Sequence, residues 1–77
     1  MSELDRIRWR CRRGLLELDL VLAACTERLL PAMTPAEVAV FKALLERSDN
    51  DLWDLINGRL EPAPGPEAHL IGLLRGL

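Results

Sequence analysis

In Arg12-Arg13-Gly14-Leu15-Leu16-Glu17-Leu18-Asp19 a basic, tryptophan-bearing segment gives way, across one glycine, to a long apolar helix. The residues before it, Ile7-Arg8-Trp9-Arg10-Cys11, read as a short helix with arginines in its last turn, where cations meet the negative end of the dipole. Gly14 is expected to end that helix, because it takes the left-handed conformation without a Cβ penalty. From Leu15 the apolar positions run 15, 18, 22, 25 and 29, the alternating three-and-four spacing of one helical face. Glu17 and Asp19 fall in the first turns of this second helix, where negative charge is favoured. Arg13 and Glu17 are therefore expected to stand together on two sides of a fixed bend, both exposed to solvent and both of little weight in stability.

Outward from the bend, the first helix sorts at about 100° per residue into a buried stripe of Leu4, Ile7 and Cys11 and an opposite side carrying Trp9 among arginines. Trp9 is either folded back onto a neighbouring helix or held out for a partner. The second helix, Leu15 to Leu30, is read as the spine, with Leu16, Leu20 and Val21 widening its apolar stripe and Pro31 closing it. Thr34-Pro35-Ala36-Glu37 is the clearest start signal in the chain: an N-cap, a proline at the first helical position and a glutamate completing a capping box. The third helix is predicted over 35–47, with Val38, Phe41 and Leu45 inward. Ser48-Asp49-Asn50-Asp51 opens a fourth, short helix that Gly58 ends. Asp51, Trp53 and Asp54 in it are either a contact patch or plain dipole complements. The proline-rich connector 61–66 leads to a fifth helix over 66–75, whose apolar face, Leu70, Ile71, Leu73 and Leu74, must dock on the bundle or on a partner. The fold class expected is all-α, a small single-domain bundle of about five short helices spanning 1–77.

The string RRGLLELD at 12–19, preceded by Trp9 and Cys11, resembles the Arg-Gly-x-x-Glu signature of the succinate dehydrogenase assembly factors, small proteins also called flavinators. Asn50-Asp51-Leu52-Trp53-Asp54-Leu55 is similar to the family's second block, an Asp-Leu-aromatic stretch after an acidic turn. The likeness runs from Ile7 to Leu74 in length and order. Two positions depart from it: Leu15 stands where a methionine is common, a change of shape rather than of volume, and Leu55 where a second aromatic is frequent, which is expected to thin a contact surface near Trp53.

Size and charge narrow the function. With 77 residues, a core buries only roughly 60% of what the unfolded chain exposes, which leaves little room for an enclosed active site. Residues 1–13 set five arginines against two acids, a net of +3, and the remainder sets five basic residues against ten acids, a net of −5. The chain is thus a basic head on an acidic body. No nucleophile stands with a base: His69 has no clustered partner, and Glu17 and Asp19, two apart on a helix, point in different directions. With no phosphate loop either, the chain is read as no enzyme. A sequence pI near 5.3 argues against nucleic acid as the partner despite the basic head. Cys11 and Cys25 are too few and too far apart for a disulfide framework or a zinc half-site, so they are read as reduced and structural and no metal is expected. Charged residues interrupt the leucine-rich stretch well short of a membrane span, and the N-terminus lacks an apolar signal region; a cytoplasmic protein without membrane insertion is expected.

What remains is an interaction module. The resemblance implies a factor that binds the flavoprotein subunit of succinate dehydrogenase, or of fumarate reductase, and promotes covalent attachment of FAD to a histidine there, binding no cofactor stably itself. It carries the client-facing role over to Arg13, Gly14 and Glu17; Trp9, Arg12 and Asp19 are added as their neighbours. The alternative is an antitoxin-like or general protein-protein adaptor.

Overall fold

Ser2, Thr34 and Ser48 each accept a hydrogen bond from the backbone N–H three residues on, at Asp5, Glu37 and Asp51, and each opens a helix. At Ser2 and Thr34 the box is closed, the Asp5 and Glu37 carboxylates accepting from the cap backbone in return. The computed structural model describes residues 2–77, and in these the order is α1 (Glu3–Arg10), α2 (Leu16–Arg28), a 3-10 turn (Leu30–Ala32), α3 (Pro35–Leu44), α4 (Asp49–Asn57) and α5 (Pro66–Arg75). The all-α bundle of five helices is what the apolar periodicity predicts. Gly58, at φ +89, ends α4 in the left-handed conformation as expected.

One core joins Leu18, Leu22 and Cys25 of α2, Phe41 and Leu44 of α3, Leu52 and Leu55 of α4, and Ile71 and Leu74 of α5, all at most 2% exposed. The fifth helix packs against α2, α3 and α4, which buries Leu70, Ile71 and Leu74 of its expected apolar face, whereas Leu73 is exposed. The first helix is the most lightly packed: it adds Ile7, and Cys11 just beyond its end, to the core and is tied outside by the Lys42–Glu3 ion pair at 2.9 Å. Among the described residues no helix is long and apolar enough to cross a membrane.

Several sequence expectations need correction. The first helix stops at Arg10 and not at Gly14; Cys11 is its C-cap, and past it the Arg13 amide bonds to Asp19 and the Arg13 side chain to Asp49 instead of continuing the helix. Leu4 is 42% exposed, since the first turn of α1 overhangs the bundle. Leu16 and Leu20 do not widen the core: they are 70% and 62% exposed. The third helix ends at Leu44, three residues early, and the second at Arg28, with Pro31 inside the 3-10 turn that follows. Leu55 lies in the core at 1% exposure, so its departure from an aromatic does not touch a contact surface.

Candidate functional site

The bend between α1 and α2 is built by three residues. Gly14 has φ +83, the left-handed region expected for it, and a Cβ placed there would meet nothing within 4 Å. Leu15 stands at the N-cap of α2 and offers no side-chain oxygen. Asp19, one turn into the helix, reaches back instead: its Oδ1 accepts from the Arg13 N–H at 2.7 Å and its Oδ2 from the Gly14 N–H at 3.2 Å. A carboxylate at the positive end of α2 thereby holds the two amides that lead into it.

The Arg13 side chain runs the other way. Its Nε donates to Asp49 Oδ1 at 2.8 Å, its Nη1 to the Leu45 carbonyl at 2.5 Å and to the Arg10 carbonyl at 3.3 Å, and its Nη2 to the Arg47 carbonyl. Leu45 is the C-cap of α3, where a helix leaves acceptors without partners and favours a cation, and Arg47 lies in the turn between α3 and α4. Asp49 is the first residue of α4. One planar guanidinium therefore ties the end of α1, the end of α3 and the start of α4, a task that suits its fixed fork of donors. Only 13% of the side chain is exposed. The expectation that Arg13 is turned to solvent is thus corrected: it faces inward, and it does not pair with Glu17.

Trp9, Arg12, Gly14 and Glu17 do lie on the surface, with Trp9 66% exposed and so held out rather than folded back. Asp19 is half-buried. Neither Arg12 nor Glu17 forms an ion pair among the described residues. Beside them a groove of about 650 Å³ separates α1 from α2, with Arg8 and Arg12 on one wall, Leu20 and Glu27 on the other, and Cys11 and Thr26 between. The Thr26 hydroxyl donates to the Leu22 carbonyl at 2.9 Å, which leaves the Cys11 thiol, 3.6 Å away, to donate to Thr26. Burial pushes the Cys11 thiol up, and it pushes Cys25 up to about 12, so both stay protonated at neutral pH and serve as packing, not as nucleophiles.

Sequence reasoning missed two parts of the site. Leu16 and Leu20 extend the exposed face along α2, and Asp49 was read only as the start of a helix. The first pair was legible: at about 100° per residue both fall roughly opposite the stripe of Leu18, Leu22 and Cys25. For Asp49, 36 residues from Arg13, no local signal exists.

Residues 5–77 match the family described as Flavinator of succinate dehydrogenase. Among curated relatives, the FAD assembly factor SdhE of Methylococcus capsulatus is 38% identical over 77 residues, covering 100% of this chain and 93% of its own length. That of Ralstonia nicotianae is 37% identical over 76 residues, 94% of this chain and 80% of the relative. That of Vibrio cholerae is 47% identical over 58 residues, 73% of this chain and 67% of the relative. These relatives are named as assembly factors, not as enzymes. No solved structure matches the chain.

Proposed function

We propose, on the premise that this chain belongs to the Flavinator of succinate dehydrogenase family, that it acts as a single domain in the cytoplasm, docking on the flavoprotein subunit of succinate dehydrogenase and promoting covalent attachment of FAD to it. The observation that carries the reading is the bend. Trp9, Arg12 and Glu17 are exposed around a backbone that Asp19 and Arg13 hold in one conformation. Tryptophan and arginine are the residue types over-represented among interface hot spots. Leu16 and Leu20 beside them add large apolar side chains that this chain leaves uncovered.

Each residue has a part set by its surroundings. Trp9, Leu16 and Leu20 anchor the client by burial. Arg12 and Glu17, with no charged partner among the described residues, receive the client's charged or polar groups. Gly14 presents bare backbone, which lets a client segment approach closely. Arg13 and Asp19 set the geometry from within. The chain does no bond chemistry: it holds mobile client segments where the flavin and its acceptor histidine meet, and such positioning lowers a barrier without a catalytic group. FAD is the client's cargo, and no stable flavin site on this chain is proposed.

The test co-expresses flavoprotein and factor, reads covalent flavin by fluorescence of the client on a denaturing gel, and measures complex yield by pull-down in parallel. Trp9→Ala is expected to lower complex yield. Glu17→Ala is expected to lower flavin incorporation far more than yield, because binding energy is spread over several anchors while segment placement falls on few groups. Full incorporation with both variants overturns the reading and favours the adaptor role. Running the fumarate reductase flavoprotein alongside decides whether it is a second client.

A further inference from the structure

We infer that Asp49, at the start of α4, is a positioning residue for flavin incorporation, acting through Arg13 and not through contact with the client. The inference rests on the proposed function and goes inside its site. The two sequence blocks that carry the resemblance, one around Gly14 and one beginning at Asn50, are physically joined by a single side chain: Arg13 in the first reaches the residue just ahead of the second.

The geometry shows why one ion pair should govern the exposed face. The first helix, which carries Trp9, is lightly packed, and α2, which carries Glu17, starts without a side-chain cap. Nothing in either helix alone fixes the angle between them. Beside the burial of Ile7 and Cys11 and the Lys42–Glu3 pair, that angle is held by Asp19, which binds the Arg13 and Gly14 amides from the α2 side, and by the Arg13 guanidinium, which binds the last carbonyl of α1 and the corner between α3 and α4. Among the described residues Asp49 is the only acceptor of the Arg13 side chain with a full charge, and it takes the Nε donor. Neutralising it leaves the carbonyl acceptors in place but removes the charge that orients the guanidinium towards them. For Arg13 to touch a client directly it would have to abandon Asp49 and three carbonyls together, which the burial of its side chain argues against.

The experiment uses the full chain with its flavoprotein client and compares Asp49→Ala, Arg13→Ala and the double variant, with Asp49→Glu and Arg13→Lys as conservative partners. Native complex and Glu17→Ala are run first; if the native chain fails to raise covalent flavin, the proposed function fails on its own. Given that it does, Asp49→Ala is expected to cut flavin incorporation on the order of tenfold while complex yield changes far less, as a small misplacement of reacting groups does. The double variant is expected to be no worse than Arg13→Ala, because both remove one shared interaction. Asp49→Glu should recover part of the activity and Arg13→Lys should not, a lysine being a point donor. Far-UV circular dichroism and hydrogen exchange of α5 amides report whether each variant stays folded. Full flavin incorporation with Asp49→Ala, beside a loss with Arg13→Ala, overturns the inference, since Arg13 then acts without Asp49. A loss that only tracks the fraction of unfolded protein, in flavin and yield alike, overturns it too and reduces the pair to scaffolding.

Discussion

At the scale of single residues, Arg13 and Glu17 sit four apart in one motif and do opposite things. Glu17 is exposed and free of ion pairs among the described residues, so Glu17→Ala should leave the melting temperature nearly unchanged, within about 0.5 kcal/mol. Arg13 gives charge-assisted bonds to Asp49 and to the open end of α3, so Arg13→Ala should cost about 2–3 kcal/mol. In a chain this small that is a fall of roughly 10–20 °C. Gly14→Ala falls between them, at about 1–2 kcal/mol, since its φ of +83 is strained for any side chain although space is open. Thermal unfolding followed by circular dichroism ranks the three. A melting temperature for Arg13→Ala equal to that of Glu17→Ala would show that the guanidinium does not hold the corner.

Among the elements, α1 stands apart. It is capped at its start by Ser2 and Asp5, but it gives the core only Ile7 and, past its end, Cys11. It is also tied by the exposed Lys42–Glu3 pair, the Arg13 contact with the Arg10 carbonyl and, past its end, the Cys11–Thr26 hydrogen bond. Elements with little buried apolar surface open at lower free energy than the rest of a fold. Native-state hydrogen exchange should therefore find α1 amides exchanging well before those of α2 and α5. The hydrogen bond from Lys42 holds the Glu3 carboxyl below its ordinary 4.5, and a depressed carboxylate contributes stability that is present above that value and lost as pH falls through the folded one. Opening of α1 should accordingly become easier on acidification below about 4.5, and exchange that is equally slow in every helix would contradict this picture.

For the whole molecule, the two thiols report how the parts come undone. Cys25 is fully buried on the spine, whereas Cys11 lies at the edge where α1 meets α2. Iodoacetamide at neutral pH should modify Cys11 first, as α1 opens, and Cys25 only on global unfolding; mass spectrometry of the labelled protein gives the order. Simultaneous labelling would mean that α1 and the bundle unfold as one unit. Burial also raises Cys25 from the usual 9.0 to about 12, so the folded state favours the protonated thiol. Its contribution to stability is whole below 9.0 and is lost as pH rises towards 12, which adds an alkaline arm to the unfolding profile.

How much of this was legible follows from the range of each interaction. Thr34 and Glu37, three residues apart, announce their cap; the run 18, 22, 25 announces the buried face of α2; and RRGLLELD with the block from Asn50 carries the resemblance to the family that residues 5–77 match. Those are local patterns, and a chain carries them before it folds. Even the exposure of Leu16 and Leu20 is written in their phase on the helix, roughly opposite Leu18, Leu22 and Cys25. The direction of the Arg13 side chain was not. Sequence places an arginine beside a glycine at a helix junction, and solvent is its default surrounding. Only packing brought the end of α3 and the carboxylate of Asp49 within reach, because bonds to residues 32 to 36 positions away depend on how separate helices meet, and no spacing in the chain encodes that angle.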